Sequence, residues 1–207
     1  MVIPKKLEEI RKYLIESNME LSNSFADGRV NSRINEDEVI RLIRGNFSIN
    51  VPKSRAWYDF SFEETGIFYP VNIKITETTS ADNLNCKLGI YYALTGKIPD
   101  FPNEIDWLDY FEKLKTNLSE NSKDYYFLVI NRSNTTDIFI NSLKSLTTLQ
   151  PNGNNLPFQC KWGINRIIKV RDYEDAKKFI LKNFGESIRL RAEIFFIFKR
   201  LFNEYLR

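Results

Sequence analysis

Not one histidine occurs in the 207 residues. That absence excludes Ser-His-Asp and Cys-His nucleophilic sites, histidine-ligated zinc hydrolases and histidine-based nucleases, so any chemistry must rest on carboxylates, lysine, tyrosine or a hard metal ion. Cysteine is nearly as scarce. Cys86 and Cys160 stand alone, without the paired spacing of a zinc site or the density of a disulfide framework, which fits a reducing, cytoplasmic compartment. No apolar run reaches 18 residues, and "MVIPKKLEEIRKYL" is charged within its first turns, so neither a membrane span nor a secretion signal is expected. Net charge is also small, at +3, and any attraction to nucleic acid must come from a local patch.

What is present is a core. With 43% hydrophobic and 14% aromatic residues, the chain is long enough to bury one, and a single domain over residues 1–207 is the expectation. Leu7, Ile10, Tyr13 and Leu14 recur at helical spacing within residues 4–22. Asn35, three residues before Glu38, reads as the cap of a second helix. "AWYDFSF" (56–62) and "IFYPVNIKIT" (67–76) alternate and are separated by "EETG", the signature of a β-hairpin. Residues from Ser80 to Gly96 read as a helix, as do residues 104–118. "DYYFLVIN" (124–131) reads as a buried central strand, and residues 173–184 and 186–206 as closing helices. The fold class is α/β (α+β): a central mixed sheet flanked by helices.

The hairpin carries the chemistry. If Phe62 pairs with Ile67 across a four-residue loop, Asp59 lies opposite Pro70 and Trp57 opposite Asn72. Asp59, Ser61, Asn72, Lys74 and Thr76 then share one face, and Tyr58, Phe60, Phe62, Val71, Ile73 and Ile75 the other. Diagonal neighbours in such a pair are about 7 to 8 Å apart, close enough for Asp59 and Asn72 to reach toward one ion. A carboxylate beside a second oxygen ligand suits Mg2+, which keeps several waters and binds through one or two protein carboxylates plus phosphate oxygens. Lys74 projects to the same place, where an ammonium can orient a water or neutralise charge on a phosphorane. An ordinary solvated strand face carries the same residue types.

Asp59 followed by Asn72-Ile73-Lys74 on a hairpin, with Glu38 on the helix before it and a helix after it, resembles the PD-(D/E)-x-K nuclease core over roughly residues 34–131. Chain size and the Asn-rich loops are similar to those of type II restriction endonucleases. The resemblance implies a restriction-endonuclease-like sheet and a magnesium cofactor. It makes Asp59 and Asn72 metal ligands together with the Ile73 backbone carbonyl, Lys74 the residue serving the attacking water, and Glu38 a further catalytic group acting through water. The chain departs from the family pattern twice: Tyr58 replaces the proline, and Asn72 replaces the second acid, which removes a negative charge from the metal site.

Several polar residues are candidates for DNA contact. Asn83 and Lys87 share a helical stripe with Tyr91. The Asn-rich region, about 145–170, concentrates Asn152, Asn154, Asn155, Gln159, Lys161, Asn165 and Arg166, residue types that read adenine and guanine edges. Arg29 and Arg33, in "DGRVNSR", suit the phosphate backbone or the minor groove. Each group is equally the composition of a turn or a wet helix face. The aromatic C-terminal stretch fits core packing, a subunit contact or a membrane surface. The expectation is a Mg2+-dependent type II restriction endonuclease hydrolysing double-stranded DNA, and the resemblance implies a homodimer. A nicking subunit, a repair nuclease, a non-catalytic DNA-binding module with a decayed site, and a purely structural domain remain as alternatives.

Overall fold

The computed structural model describes residues 3–19, 21, 28–53, 56–102 and 104–206, with backbone only for 28–33. Two helices open the chain, α1 (Lys5–Glu16) and α2 (Gly28–Asn46). The second begins well before the expected cap, so Asn35 lies inside it, 2% exposed, rather than at its start. A hairpin follows, β1 (Phe60–Glu64) and β2 (Ile67–Thr76). Where a helix was expected from Ser80, the chain forms a strand, β3 (Ala81–Leu84), and only then α3 (Lys87–Thr95), which ends at Gly96 with φ 69°. The polar "ADNL" has no apolar face to bury on a helix, whereas "LGIYYALT" is apolar throughout and becomes a buried one.

Next come α4 (Trp107–Asn117), capped by the Asp106 carboxylate on the Asp109 N–H at 2.8 Å, and the strands β4 (Tyr126–Asn131) and β5 (Asn134–Ser142). β5 ends at Ser142 and leads directly into a single short helical turn, Leu143–Ser145. Two short strands, β6 (Gln150–Pro151) and β7 (Phe158–Lys161), lie within the Asn-rich region. The chain closes on one unbroken helix, α5 (Tyr173–Phe202), not two.

The main sheet runs β1-β2-β4-β5 and is mixed: β2 and β4 are parallel, the outer pairs antiparallel. Its two faces are both covered. Leu7, Ile10, Val39 and Ile43 of α1 and α2 pack on Phe60, Val71, Ile73 and Ile75, while α3, α4 and α5 pack on the opposite face around Phe127 and Val129. Burial on both sides explains why "YFLVI" of β4 is apolar without alternation. A smaller sheet, β3-β7-β6, joins the Asn-rich region to the segment after the hairpin. Among the described residues no helix is long and apolar enough to cross a membrane.

Candidate functional site

The turn of the hairpin sets the site. Thr65 and Gly66 have φ of 52° and 76°, so two residues, not four, make the connection, in the primed geometry that matches strand twist. Glu64 therefore pairs with Ile67 and Phe60 with Val71, a register two residues away from the expected one. A shift of two preserves the side-chain faces, and it moves Asp59 from opposite Pro70 to beside Asn72. The Asp59 N–H donates to the Val71 carbonyl at 2.9 Å although Phe60 is Val71's register partner, so two consecutive residues face one, as in a bulge. Tyr58 leaves the alternation there and packs with Trp57 on the α3 side, not with Phe60.

The Asp59 carboxylate is held from β2. Its Oδ2 accepts from Asn72 Nδ2 at 2.7 Å and from the Ile73 N–H at 2.6 Å. Ile73 thus meets Asp59 through its N–H, and the pleat puts its carbonyl on that same side of the strand. Burial pushes the Asp59 carboxyl above the ordinary aspartate value, against the opposing pull of the Ile73 hydrogen bond and the Lys74 charge. Lys74 makes no ion pair with a carboxylate among the described residues. The result is a partly buried acid supported by dipoles rather than by a contacting cation.

Asn72 and Lys74 line a cleft of about 140 Å³ with Trp57, Leu84, Asn85, Cys86 and Tyr125. Asp59 is not part of that lining and reaches it through Asn72. The back wall is fixed by Tyr125, whose hydroxyl donates to the Trp57 carbonyl at 2.6 Å and whose ring lies 2.7 Å from where a Cβ on Gly89 would be. Only glycine permits α3 to approach that closely. Burial pushes the Cys86 thiol up to about 12, and that of Cys160 higher still, so neither supplies a thiolate nucleophile.

A second cleft, about 260 Å³, adjoins the first through Leu84 and Asn85. It brings together Asn83, Lys87, Asn154 and Asn155, and adds Asn85 and Arg191, which sequence reasoning passed over. Asn85 lies in what reads as a helix start, and Arg191 in what reads as a plain amphipathic face. No carboxylate is in this described lining, so its charge is positive. Asn83 sits on β3, not on the helix with Lys87, and accepts from Gln159 Nε2 of β7 at 2.7 Å. The side chain of Lys87 lies over the Trp107 ring, 5.3 Å from its centroid. Arg191 donates through Nε to Gly153 O at 2.7 Å and through Nη2 to Asn154 O at 2.9 Å, tying the Asn-rich turn to α5.

Other candidates are placed elsewhere. Asn152 is structural: its Oδ1 accepts from the Asn154 and Asn155 N–H groups and so shapes the turn. Arg166 is committed to Asp137 in a two-pronged ion pair, and its guanidinium lies over Phe139. Lys161 is exposed at the end of β7 and borders neither cleft. Glu38 is half-buried on α2 next to Val39, whose side chain packs on the sheet face opposite Asn72 and Lys74. The side chains of Arg29 and Arg33 lie outside the described residues; their backbone is helical, not a loop. A larger cavity of about 570 Å³ lies around Tyr69, Asp124 and Lys144. Its buried charges are already engaged: Lys144 Nζ donates to the Asn121 and Lys123 carbonyls at 3.0 and 2.6 Å, and Asp124 accepts from the Tyr125 N–H.

No group of three or more acidic, cysteine or histidine side chains among the described residues is arranged to hold a metal. The donor set that is present, one carboxylate with an amide and backbone carbonyls around it, fits a hard cation that keeps most of its water, provided the Asn72 amide turns its oxygen inward. A carboxyl raised by burial also fits, because an arriving cation would offset that burial.

Asp59→Asn separates a functional acid from a structural one. A carboxyl whose pKa is higher folded than unfolded holds its proton more tightly when folded. Its net contribution is therefore unfavourable above the folded pKa, and this is relieved as pH falls through that value toward the ordinary aspartate range. An asparagine oxygen can still accept from Asn72 and Ile73. Denaturant unfolding at pH 7 without divalent ions is expected to show Asp59→Asn more stable by on the order of 1 kcal/mol. A loss of that size would mark Asp59 as a structural anchor.

No protein-family model matches the chain, and no curated protein is found to match it.

Proposed function

We propose that the chain is a Mg2+-dependent endonuclease of type II restriction kind, acting on double-stranded DNA with a restriction-endonuclease-like core. The observation that carries this reading is the contact of Asp59, just before β1, with Asn72 in the middle of β2, with Lys74 two residues on at a cleft that continues into one lined by Asn, Lys and Arg. Bound by Asp59 and neighbouring carbonyl oxygens, Mg2+ would supply Lewis-acid activation of water and of the phosphoryl oxygens. Lys74 presents an ammonium, not docked on a carboxylate, to the charge that develops on the phosphorane. Arg191 and Lys87 give the adjoining cleft its attraction for phosphates, and Asn154, Asn155 and Asn85 offer amides of the kind that read base edges.

A second reading is a DNA-binding module without activity. One observation favours it: Asn72 spends its amide N–H on Asp59, so the two side chains satisfy each other without any ion. Sequencing the ends left after incubating the protein and Mg2+ with mixed DNA tests both. Ends sharing one short sequence are the expected result; intact DNA retained by the protein would favour the module.

A further inference from the structure

The cavity of about 570 Å³ shares no lining residue with the two clefts near Lys74. It lies between the start of β2, the start of β4 and the segment leading into α5, and its size is that of a small-molecule site. Its unused groups are donors. Tyr126 is only 3% exposed and lines the cavity, yet its hydroxyl makes no hydrogen bond among the described residues. That oxygen is not one of the two side-chain atoms sealed from water without a partner, which are on Asn35 and Arg132, so the surface it keeps faces the cavity. The Tyr69 hydroxyl, in the same wall, is likewise unbonded.

Arg171 adds a charged donor. Its Nη1 donates to the Lys144 and Leu146 carbonyls at 3.2 and 2.8 Å, Nη2 reaches the Thr147 carbonyl only at 3.5 Å, and Nε donates to nothing. What remains is the Nε and Nη2 edge, the edge that takes a carboxylate side-on through two parallel N–H bonds. Neither Arg171 nor Lys144 forms an ion pair among the described residues, so two positive charges in this wall rest on carbonyl dipoles alone. The carboxylates nearby are occupied or screened. Asp124 accepts from the Tyr125 and Lys144 N–H groups at 2.8 and 3.3 Å, Asp172 caps α5 on the Asp175 N–H, and Glu120 is exposed to water at the rim.

We infer that this cavity binds a small organic carboxylate, held side-on by Arg171 with the Tyr126 hydroxyl as a further donor, its apolar body against Ile67 and the Tyr69 ring. An amine would meet two cations that lack a counter-ion, and a bare inorganic anion would leave the apolar part of the wall uncovered. Burial holds the Lys144 ammonium and the Arg171 guanidinium below their usual values, and an arriving anion would offset that burial. The inference does not rest on nuclease activity.

Calorimetric titration of the full chain with benzoate should give a dissociation constant on the order of 1 mM. Benzamidine, of similar size and opposite charge, and inorganic phosphate, which has no apolar body, should each bind at least about tenfold more weakly. Tyr126→Phe breaks no hydrogen bond within the protein and should weaken benzoate about tenfold. Arg171→Lys should weaken it at least as much, because an ammonium cannot form the side-on pair. Lys87→Ala, in the other positively charged cleft, should leave benzoate affinity unchanged. Benzoate that fails to bind at about 20 mM, or binds no better than benzamidine or phosphate, overturns the inference. So does binding that Tyr126→Phe leaves unmoved or that Lys87→Ala abolishes.

Discussion

Replacing Lys74 with alanine is expected to lower single-turnover cleavage of DNA by about 10²- to 10⁴-fold, the range over which one positioned acid–base or charge-stabilising group acts. Affinity for uncut DNA should change little, because the phosphate-attracting charge lies in the adjoining cleft at Lys87 and Arg191. The asymmetry follows from position. Lys74 is on β2 beside Asn72, within electrostatic reach of Asp59, and is engaged with no carboxylate among the described residues. Arginine should restore little, since a guanidinium brings a broad fork where a compact ammonium is required. A Lys74→Ala protein that cuts at the parent rate would remove Lys74 from the reaction.

The second large effect is expected from Asn72→Asp. The present amide donates to Asp59 Oδ2 at 2.7 Å; a carboxylate there faces another carboxylate at hydrogen-bond distance. Both cannot ionise without cost, so the pair holds a proton more tightly than either carboxyl alone, and Asp59, already raised by burial, is raised further. Without divalent ions the variant should be less stable than the parent by about 2 kcal/mol at pH 7, the cost of losing a hydrogen bond to a charged group. That loss should shrink as pH falls, because protonating one of the pair removes the repulsion. Millimolar Mg2+ should restore the melting temperature, since two carboxylates and a hard cation satisfy each other. Melting curves with and without Mg2+, at pH 5 and pH 8, check each part. If Mg2+ leaves the variant's melting temperature unmoved, the pocket between Asp59 and residue 72 does not accept the ion.

How much of this was legible in the sequence differs by element. The hairpin was readable because parity survives an error of two: the turn closes on Thr65–Gly66, yet Asp59, Asn72 and Lys74 keep their side of the strands. β4 was readable because a strand covered on both faces is apolar throughout. β3 was not, because "ADNL" carries neither alternation nor a breaker, and its strand exists only by pairing with β7, some 76 positions later at Asn83 and Gln159. That same long-range pairing assembles the polar cleft, so no local pattern could mark Asn85 and Arg191. Arg166 shows the converse. Its composition suited DNA, but Asp137 on β5 claims it, and the pairing is invisible until the fold brings position 137 to position 166. At α5, Gly185 reads as a break, while the helix continues through it, because one interior glycine costs only about 1 kcal/mol against alanine and the buried turns on its N-terminal side hold the helix in place.

The most direct measurement is the fate of supercoiled plasmid incubated in Mg2+ with the parent protein and, separately, with Asp59→Ala. Linear fragments of discrete size from the parent, and supercoiled plasmid unchanged by Asp59→Ala, are the predicted result. Equal cutting by both proteins, or plasmid left intact by the parent in Mg2+ and in Mn2+, would contradict the assignment of Asp59, Asn72 and Lys74 to a hydrolytic site.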